Sequence, residues 1–228
     1  MNTHHSEMKN SKLIFIAFVI SALFFPFNLF AHTVNYDVQS LSSAGVAGYY
    51  IRLGFTHILP LGFDHILFIL GIFFLNPNLR SVLWQATAFT VAHSITLALA
   101  ASGTIHPLSS VIEPIIALSI AFIAIENIFI TKLKWWRILI VFAFGLVHGM
   151  GFAGALVEIG LPEKNFLSSI ISFNIGVELG QITVILLANY IVVNWIKNKE
   201  WYRPRFLIPA SACIAVFALW LTYERMMA

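Results

Sequence analysis

The chain has 228 residues, of which 59% are hydrophobic and only 10% charged, with a formal net charge of +3. A soluble globular domain carries about a quarter charged residues, so this composition excludes one and points to a chain that crosses a membrane several times. The small positive charge does not argue for nucleic acid, because the basic residues fall in short clusters between apolar runs, as membrane orientation requires.

In chain order, residues 1–12 are polar and include Lys9 and Lys12, residues 13–31 are apolar, and a polar stretch begins at His32. A basic head, an apolar middle and a small residue at the end describe a secretory signal peptide. Cleavage after Ala31 is expected, with an uncleaved first transmembrane helix as the alternative, and cleavage would leave residues 32–228 as one transmembrane domain. His32 would then be the new N-terminus, able to chelate a metal through its amine and ring.

Six apolar runs follow, near 57–75, 82–102, 108–130, 135–156, 167–195 and 206–223. About 20 apolar residues span a bilayer as a helix, and a spanning helix pairs its own backbone groups internally. β-Barrel alternation is absent. The expected fold is therefore all-α: a polytopic membrane bundle of six transmembrane helices after a signal peptide. With residue 32 outside, the cytoplasmic loops hold Arg80, Lys132, Lys134, Arg137, Lys197, Lys199, Arg203 and Arg205. The exterior segments hold Arg52, Lys164 and Arg225. Eight against three follows the positive-inside rule, and Trp135, Trp136, Trp195 and Trp201 sit at the cytoplasmic ends as an aromatic belt would. The chain is expected in a bacterial-type inner membrane with both ends of the mature protein outside. The lone cysteine, Cys213, permits no internal disulfide and reads as a packing residue.

Several polar residues interrupt the apolar runs. Asp64 and His65 lie in the outer half of the first, His93 in the second, His148 in the fourth and Glu178 in the fifth. Intramembrane ionisable groups usually face the bundle interior and mark an ion or substrate path. A single histidine in such a helix is commonly a packing residue, but five such groups at one depth call for a site. Imidazole and carboxylate together suit a divalent transition metal. Asp64, next to His65, is suited to orienting a ligating imidazole as much as to ligating. Pro60 and Gly62 break the helix start, and His57 before that break can act as an entry ligand or stand at the interface in water. Asn174, Glu178 and Gln181 share a helical face through spacings of four and three, and with Glu126 they offer a route inward. Glu126 reads equally as an interfacial carboxylate beside Lys132 and Lys134. Gly145 and Gly149 flank His148 and read as a close-packing face. The 21 phenylalanines read mostly as bulk facing lipid.

The segments "HILPLGFDHILFILGIFF", "AFTVAHSITLALA", "FGLVHGMGFAGAL" and "FNIGVELGQ" resemble the HupE/UreJ family of small membrane proteins, over nearly the whole chain. The resemblance implies a six-helix permease for nickel or cobalt, working without its own ATPase and linked to maturation machinery of metalloenzymes such as hydrogenase or urease. Asp64, His65 and His148 fall on family motif positions. Two departures mark a divergent branch. Six residues separate His57 from Asp64 where better-studied members have five, and Phe144 and Gly151 stand where those members carry His and Glu. The expected activity is thus metal permeation with Asp64, His65, His93, His148 and Glu178 as the metal site, and with His57, His32, Asn174, Gln181 and Glu126 as further candidates. A zinc-dependent membrane hydrolase and a metal-binding accessory protein that transports nothing are the alternatives. HExxH is absent, and no nucleophile with a paired base stands out.

Overall fold

The computed structural model describes residues 41–196 and 198–228. The expected signal peptide, its cleavage site and His32 lie outside the described residues. Among those residues the chain is all helical: α1 (Ser43–Ile58), α2 (Phe63–Leu75), α3 (Leu79–Ala101), α4 (Ser109–Phe129), α5 (Arg137–Ile159), α6 (Phe166–Trp195) and α7 (Ile208–Met227). A single 3-10 turn, Glu163–Asn165, precedes α6, and a π-helical turn, Arg203–Leu207, leads into α7. The helix starts carry local signals. Ser42 Oγ accepts from Gly45 N–H at 3.3 Å, and Asn78 Oδ1 accepts from Ser81 N–H at 3.3 Å, each satisfying a donor that the first turn leaves open. At the end of α5, Gly160 takes φ +99°, which a residue without a Cβ adopts freely.

Among the described residues, five helices are long and apolar enough to cross a membrane. They match the expected runs from the second onward to within a few residues. The first run is different. Residues 57–75 do not form one helix: α1 and α2 meet at a break with a 67° bend. Pro60 has no N–H to donate and its ring crowds the preceding turn. A Cβ at Gly62 would fall on the carbonyl oxygen of His57, so the chain can turn this tightly only with glycine there. α1 starts well before the expected run, at Ser43, because Val46, Tyr50, Gly54 and Ile58 form a buried face at helical spacing despite Arg52 and several small residues between them.

Contacts along the helices show that the bent pair crosses the bundle as one broken span. We call the end holding the start of α4 and the end of α7 the upper end. The Tyr50 hydroxyl donates to Gly160 O at the upper end, and Ile58 packs on Gly180, half-way down α6. α2 continues downward: Tyr202 donates to Phe74 O at 2.8 Å, and the Phe74 and Phe206 rings lie 5.2 Å apart at the lower end. The break thus falls midway along the bundle.

Three helix pairs pack most extensively: α3 with α5, α1 with α6, and α4 with α7. The first two owe their closeness to glycine. A Cβ at Gly149 would land on His93 O and Thr96 Oγ1, and one at Gly176 on Ile51 O. Thr96 Oγ1 also donates to Leu146 O at 2.7 Å, tying α3 to α5. The expected Gly145 and Gly149 face is therefore the α3–α5 seam. Large apolar side chains such as Trp84, Leu108, Leu139 and Leu187 point outward, as a lipid-facing surface would. The phenylalanines follow the expectation only in part: Phe122 and Phe129 are exposed, but Phe68, Phe73, Phe89 and Phe173 are fully buried.

Candidate metal centre

The break between α1 and α2 creates the site. It leaves His57 in the last turn of α1 and His65 in the first turn of α2, so one strand of chain delivers two imidazoles to one point. Their ring centroids lie 4.8 Å apart. α3 brings His93 to 5.9 Å from His65, and α5 brings His148 to 5.2 Å from His65. Ligand atoms of His57, His65 and His93 all lie within 4.8 Å of one another. Three nitrogens on one tetrahedral ion at its usual bond lengths stand about 3.3 Å apart, so closing on an ion takes small side-chain shifts and no change of fold.

Hydrogen bonds fix which nitrogen His93 and His148 offer. His148 Nδ1 lies 2.8 Å from Phe144 O. A carbonyl only accepts, so Nδ1 carries the proton and Nε2 the lone pair. His93 Nδ1 lies 3.1 Å from Asn174 Oδ1, while Asn174 Nδ2 donates to Ile170 O at 2.8 Å. That leaves Oδ1 as the acceptor and again puts the lone pair on Nε2. A partner on the far ring nitrogen that fixes tautomer and orientation is the usual second layer of a metal site. The Nε2 atoms of His57, His65, His93 and His148 are all buried and have no hydrogen-bond partner. Buried polar groups ordinarily find partners, and four unpartnered imidazole nitrogens in one place, those of His93 and His148 fixed as lone pairs, have the chemistry of a ligand set.

The surroundings are aromatic. Phe152 lies 4.0 Å and Phe173 5.5 Å from His57 between ring centroids, and Phe89 lies 4.8 Å from His148. These rings form an apolar shell that sequence reading missed, because a phenylalanine facing lipid and one facing a site look alike in an apolar run.

The remaining expected residues are placed as follows. Asp64 does not join the imidazole trio; its Oδ2 pairs with Arg225 Nη2 of α7 at 2.8 Å. Glu178 accepts from the Thr87 hydroxyl at 2.6 Å, its Oε2 being buried without a partner. It lines a crevice of about 300 Å³ between α3 and α6, together with Thr87, Ser94 and Asn174. Gln181 Oε1 accepts from Thr90 Oγ1 at 3.2 Å. Glu126 sits not at an interface beside Lys132 and Lys134 but in a buried ion pair with Arg137, Nη1 to Oε2 at 2.8 Å. Arg137 Nη2 also donates to Asn127 Oδ1 at 3.1 Å and to Gly71 O at 3.4 Å. Among the described residues, the group close enough to share one ion is thus made of imidazoles alone. Arg137 and Arg225 had registered in the sequence only as orientation charges.

The family model described as "HupE / UreJ protein" matches residues 33–225. No curated protein and no solved structure gives a match.

Proposed function

The chain belongs to the HupE/UreJ family, a family of membrane proteins associated with nickel and cobalt transport, and on that premise we propose that it is a permease for a divalent transition-metal ion, nickel or cobalt first. The observation that carries the reading is the set of four buried, unpartnered Nε2 atoms gathered at the break in a span. Broken helices at mid-membrane build the substrate sites of many transporters. The C-terminal end of α1, beside His57, carries the negative pole of that helix toward an incoming cation. In this reading the upper end faces the outside of an inner membrane, and the ion sheds water onto His57, His65 and His93, with His148 alongside. Nitrogen donors without thiolate hold such ions firmly enough to select and loosely enough to release. Asn174 holds His93 in its ligating tautomer. Glu178 and the α3–α6 crevice supply the next carboxylate, one turn below Asn174.

The test is metal accumulation by elemental analysis in cells expressing the wild type, His65→Ala or His148→Ala, each offered Ni, Co, Zn, Fe or Cu at low concentration. One metal should rise with the wild type and with neither variant, while all three proteins reach the membrane equally. Equal accumulation by wild type and both variants would refute the site. Tight binding by purified protein with no accumulation would favour an accessory that binds without transporting.

A further inference from the structure

Imidazoles can hold a divalent ion but cannot neutralise it. An ion entering this site carries two positive charges into the middle of an apolar bundle, where uncompensated charge is costly. The carboxylate adjoining the site in sequence is Asp64, the neighbour of His65, and it already has a cation. Arg225 Nη2 lies 2.8 Å from Asp64 Oδ2, and Arg225 Nη1 donates to Glu113 O of α4 at 3.3 Å. Phe217 of α7 packs on Phe63 at 5.3 Å between ring centroids. Arg225 lies two helical turns further toward the upper end, so its guanidinium stands above Asp64, on the entry side. Asp64 and His65 are adjacent in the first turn of α2, so a rotation of the released carboxylate brings it toward the imidazoles.

The bundle's other ion pair shows what a permanent one looks like. Glu126 and Arg137 are 7% and 1% exposed and are locked further by Asn127 and the Gly71 carbonyl. Asp64 and Arg225 are each 23% exposed and share one close contact. A pair left this open by the protein and joined by a single close contact is held less firmly than the locked Glu126–Arg137 pair, so its partners can exchange.

We propose that Arg225 is a tethered cation that occupies Asp64 while the imidazole site is empty and is displaced when a metal ion enters. The carboxylate is handed from guanidinium to metal, and back when the ion leaves. This deepens the permease reading and rests on it, since it needs a metal at the imidazoles. Arg225 then acts as a positioning residue through Asp64. It weakens metal binding by the free energy of the pair that the ion must break, and in doing so it favours release.

The experiment is titration of Ni²⁺ and Co²⁺ into the purified full chain in lipid nanodiscs, by calorimetry or competition with a fluorescent chelator. Arg225→Gln should bind about three- to tenfold more tightly, the equivalent of a partly exposed ion pair no longer broken. Arg225→Lys, which keeps the charge, should stay near the wild type. Asp64→Asn should bind more weakly, and adding Arg225→Gln to it should change nothing further. A purely structural arginine predicts the opposite: Arg225→Gln no tighter than wild type in either background, which overturns the proposal. A measurement on the wild type covers the case of a variant that does not insert. Modification of Arg225 by phenylglyoxal, read by mass spectrometry, should increase on saturation with Ni²⁺, and an unchanged or lower rate overturns the proposal. Metal binding that depends on His65 but is not tightened by Arg225→Gln removes this proposal and leaves the permease reading standing. Absence of metal binding by the wild type removes both.

Discussion

Glu126 was a candidate for the inward route of an ion, and the structure gives it a partner that makes the question measurable. Glu126→Ala leaves Arg137 charged, 1% exposed and without its carboxylate. Removing one member of a buried ion pair costs about 3–5 kcal/mol, because the remaining charge is stranded. Here Arg137 Nη2 keeps its bonds to Asn127 Oδ1 and Gly71 O, so the cost falls at the lower figure, about 3 kcal/mol. Adding Arg137→Met removes the stranded charge. Asn127 still donates to Gly71 O at 2.7 Å, and the double variant should recover about 2 kcal/mol, since apolar replacement of a whole buried pair is often neutral. The assay is unfolding of the purified protein in mixed micelles under SDS titration, with metal binding measured on the same samples. The single variant should be strongly destabilised with unchanged affinity in its folded fraction, and the double variant largely restored. A single variant of wild-type stability whose transport is lost, with no rescue by Arg137→Met, would refute the structural role and return Glu126 to the ion route.

Other outcomes follow from the same contacts. Asn174→Ala releases His93 Nδ1 from its fixed tautomer, and metal affinity should fall about 10- to 100-fold, as is typical when the partner of a ligating imidazole is lost; wild-type affinity in titration would show that His93 needs no holder. Gly149→Ala puts a methyl group against His93 O and Thr96 Oγ1, and overpacking of this kind costs about 1–3 kcal/mol. Gly154→Ala, five residues further along in open space, should be neutral or slightly stabilising, so the same unfolding assay on both variants isolates the seam from general helix propensity.

Hydropathy located five spans to within a few residues, because a lipid-facing surface forces a long apolar run whatever the helix packs against. It failed at α1, where the buried face is made of Val46, Tyr50, Gly54 and Ile58 and the rest is small or polar. Packing on α6 holds α1 in place, and packing of this kind leaves no hydropathy signal. At the site, depth was legible and direction was not. His65, His93 and His148 share a depth and do converge. Asp64 shares it too, yet on a helix it points about 100° away from His65, toward α7. The identity of that partner depends on where α7 ends relative to α2, and no local pattern encodes this. Glu126 illustrates the same limit. Its distance in sequence from Lys132 and Lys134 made an interfacial placement reasonable, but Arg137, at the start of the next helix, turns inward and claims it. The resemblance carried the family and nothing of these pairings.

The ligand set is divided between helix pairs in a way that bears on transport. His93 and His148 belong to α3 and α5, whose backbones touch through Gly145 and Gly149 and behave as one body. His57 belongs to α1, and Asn174, which orients His93, belongs to α6; those two helices are joined in the same fashion through Gly54 and Gly176. Between α3 and α6 the hydrogen bonds run from side chain to side chain, Thr87 to Glu178, Thr90 to Gln181 and His93 to Asn174, and α1 meets the end of α5 through the Tyr50 hydroxyl on Gly160 O. Such contacts exchange far more readily than a seam of touching backbones. A displacement of one pair against the other changes the His57–His93 separation and the hold on His93 together, with His65 of α2 between them. An ion bound by three of these rings therefore draws the pairs together, and parting them removes its ligands at once. In the permease reading, binding and release would be coupled to a relative movement that glycine packing directs to the boundary between the pairs.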